Sequence, residues 1–395
     1  MIESTYDFVT PSQIIFGWRR RGEIARFVAP LGSRAFVVCG SRTLERRGEI
    51  SRLVDIMTRE GVVTQDVHIQ TSEPTVHDVD CLTEKYLRLG ALRADSVVIG
   101  IGGGAAMDLA KATAAMVTNF EKDSSVKDYL EGVGCGRTLE IDPLPIVLLP
   151  TTAGSGAEAT RNAVISNAVP RFKKSLRDTR LFAKVVIVDP ELTVTNPPEL
   201  TACSGLDAIT QLFESFISRK ARPIPQALAL QGLRLAFHSI ERAFHDPTNR
   251  EAREKMSHAA LLSGLCLANS GLGMAHGIAP ALGTHGLIAH GKACAMLLPK
   301  ALRTNADVCR ERLAYLALNL FPNSYFPNEE EAIETLLYEV NALLNVLQIP
   351  RRLSEAGIRE DQLPAIVADS RGSSMSGNPK NLSNEEILHV LKDLL

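Results

Sequence analysis

The chain lacks any run of about 18 apolar residues, the length a helix needs to span a bilayer, so no membrane span is expected. It also lacks a charged-then-apolar leader, because the N-terminus Met1-Ile2-Glu3-Ser4-Thr5-Tyr6-Asp7 is acidic. Net charge is nearly absent, -2 from 43 Lys+Arg and 45 Asp+Glu. That excludes broad electrostatic attraction to nucleic acid or an anionic membrane. The one basic run, Arg19-Arg20-Arg21, is shorter than a basic patch and reads as a solvated turn. Cysteine is sparse and scattered: Cys39, Cys81, Cys135, Cys203, Cys266, Cys294 and Cys309, with no Cys-x-x-Cys. An odd, widely spaced set fits reduced thiols in the cytoplasm better than disulfides or a zinc ribbon. Internal repeats and low-complexity tracts are missing too.

What is present is ordinary globular material, with 45% apolar and 22% charged residues over 395 positions. The first half alternates apolar strands with helical stretches. Strands are expected at 34–40, 62–68, 95–100, 144–149 and 185–188, and helices at 44–60, 79–89 and 105–117. Near-continuous apolar strands separated by helices indicate a parallel sheet covered on both faces. From about Leu200 the spacing turns helical throughout. Thr193-Val194-Thr195-Asn196-Pro197-Pro198 reads as a hinge, because paired prolines continue neither element. The expected fold class is therefore a Rossmann-like α/β domain over 1–192 followed by an all-α domain over 193–395.

Two loops carry chemistry in the first half. Ile99-Gly100-Ile101-Gly102-Gly103-Gly104-Ala105 follows a strand and opens a helix. Glycines there permit positive φ and close approach of backbone N–H groups to a phosphate, and the helix start adds unpaired donors. Asp108 in the first turn is placed to accept from a ribose hydroxyl. The G-x-G-x-x-A match is weak by itself, because the acidic residue about 20 positions on is missing. The second loop, Pro150-Thr151-Thr152-Ala153-Gly154-Ser155-Gly156-Ala157-Glu158-Ala159-Thr160, offers small hydroxyls just after a strand. Two such loops favour a nucleotide crevice beyond the carboxyl ends of parallel strands. In the second half, Asp207 and Gln211 share a helix face four residues apart, and His276 and His290 flank a glycine-broken segment. One carboxylate and two imidazoles suit Fe²⁺ or Zn²⁺ with an open position, and Gln211 offers a neutral carbonyl oxygen.

Together these blocks resemble the iron-containing (group III) alcohol dehydrogenase superfamily across essentially the whole chain. The resemblance rests on Ile15-Phe16-Gly17, Ser72-Glu73-Pro74-Thr75, the triple-glycine turn with Asp108 and Lys111, and the Pro150–Glu158 block. It continues through Asp189-Pro190-Glu191-Leu192-Thr193, Gly205-Leu206-Asp207-Ala208, His290-Gly291 and Asn378-Pro379. It implies a dehydroquinate synthase-like fold with catalysis in a cleft between the domains, NAD or NADP as cofactor, a divalent metal, and a homodimer. It implies cofactor contacts from Gly102, Gly103, Gly104, Asp108, Lys111, Thr151, Thr152, Ser155, Thr160 and Lys173 (or Lys174), and metal ligation by Asp207, His276 and His290.

Three departures stand out. Gln211 replaces a usual metal-binding histidine. Pro280 replaces a histidine four residues after the first late ligand, leaving His285 as a candidate proton carrier. Gly40 and Ser41 replace the strand-end aspartate that favours NAD, so Ser41 and Arg42 are candidates to accept a 2′-phosphate. The implied activity is interconversion of an alcohol with an aldehyde or ketone on a small-molecule substrate. The alternatives are a metal-free reductase of the maleylacetate reductase kind, a dehydroquinate synthase-like enzyme, or a non-catalytic nucleotide-binding module.

Overall fold

The computed structural model describes residues 5–121 and 124–395, so the first four residues of the acidic N-terminus lie outside it. It forms two compact units, Val9–Thr152 with Gly156–Thr195, and Asn196–Leu395 with Ala153–Ser155 and residues 5–8.

The first unit is built on eight strands among the described residues. They are β1 (Gln13–Phe16), β2 (Arg34–Cys39), β3 (Val63–Ile69), β4 (Ser96–Gly102), β5 (Ile146–Pro150), β6 (Asn162–Ala168), β7 (Arg171–Arg177) and β8 (Val185–Val188). Its helices are α1 (Ile24–Val28), α2 (Arg42–Arg46), α3 (Glu49–Arg59), α4 (Val76–Arg88) and α5 (Gly104–Asn119). Six strands form one sheet in the order β1-β8-β5-β4-β2-β3, and every neighbouring pair is parallel. Strand β4 is buried along its whole length, which is why its sequence shows no polar alternation. One sheet face packs Val37, Val97, Ile99, Val147 and Ile187 against Ile24, Leu53 and Met57 of α1 and α3.

Three elements differ from the sequence expectation. The helix expected over 44–60 is two, α2 and α3, because Gly48 adopts φ 70° between them. β1 is a four-residue edge strand beside β8. β6 and β7 form a separate antiparallel hairpin, one face of which carries the exposed Arg171 and the half-buried Lys173, Ser175 and Arg177. Only Phe172 and Leu176 of β7 are buried, too few to mark a strand from sequence.

The strand order reverses beside β2, since the chain goes from β2 to β3 on one side and returns to β4 on the other. The loops leaving β2 and β4 meet at this switch. A Cβ on Gly102 would lie 2.7 Å from the Ala106 Cβ and 2.9 Å from the Gly40 Cα, and one on Gly40 would lie 2.8 Å from Ala106. Neither glycine has positive φ. The requirement is close backbone approach, not an unusual conformation, which corrects half of the sequence argument for this turn.

The second unit is helical throughout. Its helices are α6 (Pro198–Ile217), α7 (Pro223–Phe237), α8 (Ile240–His245), α9 (Arg250–Ser270), α10 (Met274–Gly286), α11 (His290–Asn305), α12 (Arg310–Leu320), α13 (Glu329–Val346), α14 (Leu363–Asp369) and α15 (Asn384–Asp393). α6 is buried on nearly all sides, as expected of a helix that is apolar all round. No single helix among the described residues is long and apolar enough to cross a membrane.

Gly102→Ala is expected to lower stability by about 1–3 kcal/mol, the cost of overpacking a close contact, measured as a shift in the urea midpoint.

Candidate functional site

The carboxyl ends of β2, β4 and β5 bring together several residues expected at a nucleotide. Gly40 touches Gly102, the Thr151 amide donates to the Gly102 carbonyl at 2.9 Å, and Thr152 flanks Gly103. Gly103 is the N-cap of α5 and supplies no side-chain acceptor, so the first-turn amides have no side-chain acceptor from the cap. Ser41 caps α2, its Oγ accepting from the Leu44 amide at 3.2 Å. Arg42 is exposed at the start of the same helix.

Four residues expected to meet the cofactor, Lys111, Asp108, Thr160 and Lys173, have protein partners. Lys111 is fully buried, and its ammonium donates to the Ala157 carbonyl (2.8 Å), Thr160 Oγ1 (3.0 Å) and the Asn162 carbonyl. Those three acceptors match its three N–H donors. The Asp108 carboxylate lies 3.4 Å from Lys111 and accepts from the Val164 amide at 3.1 Å. The Thr160 hydroxyl donates to Ala157 O at 3.0 Å. These side chains brace α5 against residues 157–164. Burial raises the Asp108 pKa and lowers that of Lys111, and each group's charge works against the other's shift. Lys173 projects from β7 and pairs with Glu73 at 2.5 Å.

In the helical unit, α6, α10 and α11 converge on a ring of four donors. Asp207, His276, His290 and Cys294 each offer a ligand atom, all within 4.8 Å of one another. The Asp207 Oδ1 lies 3.1 Å from His276 Nε2 and 3.9 Å from His290 Nε2. The Cys294 Sγ lies 3.7 Å from His290 Nε2. A tetrahedral ion with bonds of about 2.0–2.3 Å would separate its ligands by about 3.3–3.8 Å, so the ring has the size of a metal site. Asp207 and His276 are buried, and His290 retains partial exposure.

Local structure explains the convergence. His276 is in the first turn of α10, and the Glu214 carboxylate of α6 covers that turn. Glu214 Oε1 accepts from the Ala275 amide (2.6 Å), and Oε2 accepts from the His276 amide (3.3 Å) and from His276 Nδ1 (2.7 Å). A carboxylate is favoured at a helix N-terminus, and this one fixes the imidazole with Nδ1 protonated and Nε2 turned to Asp207. Gly273 makes room, since a Cβ there would lie 2.9 Å from Glu214 Oε1. Asn378 Oδ1 accepts from the Met274 amide at 3.1 Å. Gly291 lets α11 approach α6, because a Cβ would fall 2.3 Å from the Cys203 carbonyl oxygen.

The site favours positive charge. The Nε2 lone pair and the Asp207 carboxylate are both acceptors, so a cation, proton or metal must satisfy them. Burial alone would lower the His276 pKa, but Cys294, Asp207 and Glu214 outweigh it and raise it well above the usual value. Burial alone would raise Asp207, yet His276 and His290 hold it below the ordinary carboxylate value. Burial pushes the Cys294 thiol up to about 12.

Gln211 and His285, expected as a ligand and as a proton carrier, each have protein partners. Gln211 is buried on α6, but its Oε1 accepts from Ser263 Oγ at 2.8 Å and its Nε2 donates to the Ser155 carbonyl at 3.3 Å. Both ends of its amide therefore have protein partners. His285, near the end of α10, pairs through Nε2 with Asp369 Oδ2 at 2.7 Å and does not belong to the ring. Sequence reasoning missed Glu214 and Cys294. Both had a signal: Glu214 follows Asp207 by seven residues and Cys294 follows His290 by four, spacings that share a helix face.

Lys111→Met, which deletes the bracing ammonium and leaves Asp108 buried without a cation, is expected to cost about 3–5 kcal/mol by urea unfolding. Adding Asp108→Asn should recover part of that loss.

Known proteins carry the same architecture. Residues 11–190 match the model described as iron-containing alcohol dehydrogenase, and residues 201–395 match that of the Fe-containing alcohol dehydrogenase family, C-terminal. A long-chain-alcohol dehydrogenase of Geobacillus thermodenitrificans is 34% identical over 90% of this chain and 87% of its own. The crystal structure of a 1,3-propanediol oxidoreductase superposes with TM-score 0.91 at 26% identity, covering 99% of this chain and 100% of that one. The sulfoacetaldehyde reductase of Bifidobacterium kashiwanohense, solved in complex with NAD⁺, superposes with TM-score 0.85 at 29% identity, covering 99% and 98%. From sheet, helical unit and relatives alike, this chain is a member of the iron-containing alcohol dehydrogenase family.

Proposed function

We propose that the chain catalyses reversible hydride transfer between NAD or NADP and an alcohol or its aldehyde or ketone, with a divalent metal at Asp207, His276 and His290. The observation that carries this reading is the buried carboxylate–imidazole ring, sized for an ion and backed by Glu214. An ion held there would supply Lewis acidity toward a substrate oxygen. The nicotinamide cofactor would supply or accept the hydride.

The chain's own groups do the positioning. Glu214 keeps the His276 ring in one tautomer and one orientation, and Asp207 contributes the fixed negative charge. Burial of both excludes competing water. For the nucleotide, the reading rests on the topological switch beside β2, where Gly40, Ser41, Gly102, Gly103, Gly104, Thr151 and Thr152 gather at strand ends. The relative solved with NAD⁺ supports it. No carboxylate stands at position 40 or 41 to repel a 2′-phosphate, and Arg42 follows, so both cofactors belong in the assay. All seven cysteines are unpaired as disulfides, which supports a reducing compartment.

The test is turnover of an alcohol panel with NAD⁺ and NADP⁺, before and after chelation and with Fe²⁺ or Zn²⁺ restored. Activity that is lost on chelation and returns with the ion is expected. Indifference to both treatments would refute the metal. Glu214→Gln should weaken the metal by about 10–100-fold, read by competition with a chromophoric chelator, because it disturbs the partner that orients His276. Asp207→Asn and His276→Ala should each abolish turnover.

A further inference from the structure

The family resemblance leaves the fourth metal-ligand position to Gln211, a neutral amide. Gln211 is held at both ends, by the Ser263 hydroxyl and the Ser155 carbonyl. A thiol is present in the ring instead. Cys294 is one turn beyond His290 on α11, is fully buried, and has its Sγ 3.7 Å from His290 Nε2. Its ligand atom falls within the same 4.8 Å set as Asp207, His276 and His290. The geometry points to Cys294 as the fourth donor, giving an Asp-His-His-Cys site. The inference rests on the reading that the chain binds a divalent ion, and goes beyond it by naming the ligand that replaces the missing histidine.

The chemistry follows from the sulfur. Cys294 binds as thiolate, so each ion taken up sends one thiol proton to solvent. Thiolate is a softer donor than imidazole or amide oxygen and shifts preference toward zinc-like ions. Rigid helical placement supports the assignment: His290 and Cys294 share one face of α11 at a spacing of four, and α11 is seated against α6 through Gly291. The 3.7 Å between Cys294 Sγ and His290 Nε2 is within the separation expected of two ligands on one tetrahedral ion.

The experiment is cobalt substitution of the full-length protein after removal of metal by chelation. Thiolate ligation of Co²⁺ gives an intense sulfur-to-metal charge-transfer band in the near ultraviolet, which nitrogen and oxygen donors do not. The wild type should develop this band at one equivalent. Cys294→Ser should bind Co²⁺ by at least about tenfold more weakly and without the band. Cys81→Ser should keep the band; it is the control because Cys81 is exposed beside His77 and could bind cobalt adventitiously. Cobalt bound without the band, or a band that survives Cys294→Ser, would overturn the inference while sparing the metal-dependent function. Failure of the wild type to bind Co²⁺ at all would overturn both. A measurement without any variant decides the matter if Cys294→Ser does not fold. X-ray absorption of the zinc-loaded wild type should show one sulfur at about 2.3 Å beside nitrogen and oxygen at about 2.0–2.2 Å, and a shell without sulfur would refute the assignment.

Discussion

Asp207 and Glu214 lie two turns apart on α6, both removed from water, with the His276 imidazole between them. Burying carboxylates is costly unless their charge is answered, and the surrounding helices are arranged to answer it. The start of α10 turns its amides onto Glu214. His290 opens α11 and approaches Asp207. Gly273, Gly291 and Asn378 are the accommodations that this arrangement needs. A site that concentrates negative charge around one imidazole is prepared for a cation, whether proton or metal, which is preorganisation in the electrostatic sense.

On the proposed reading the sheet unit meets a different need. A diphosphate would take backbone donors presented without side chains in the way, and parallel strands deliver their loops to one edge. Gly40 and Gly102 meet there because neither has a Cβ. The loop after β5 is then anchored to α5 by Lys111 and Asp108, whose polar atoms face inward. The motif residues of this region therefore divide into those that leave the strand ends bare and those that hold the frame.

Much of this was legible in the sequence, for identifiable reasons. Strands buried on both faces have apolar runs that nothing else explains, so β2, β4, β5 and β8 were readable. β1 and the β6–β7 hairpin were not, since a four-residue edge and a half-solvated ribbon carry little apolar signal. Asp207, His276 and His290 were selected by residue type and resemblance, and the fold brings them together. The partners of Gln211, Ser263 and Ser155, were not legible in the sequence, because an amide can serve equally as ligand or as bridge. Lys111 and Asp108, expected at the cofactor, are bonded to the frame of the loop after β5. A motif reports that a residue matters without reporting whether it faces the ligand or the interior.

The burial of Cys294 has a consequence for durability. Peroxide attacks the thiolate form, and a sulfur kept protonated and out of solvent reacts slowly. With its thiol pushed up to about 12, Cys294 is shielded even when no ion covers it, while the exposed Cys81 and Cys135 stand as the first targets. Oxidative stress would thus mark the surface of this protein well before it reached the donor ring.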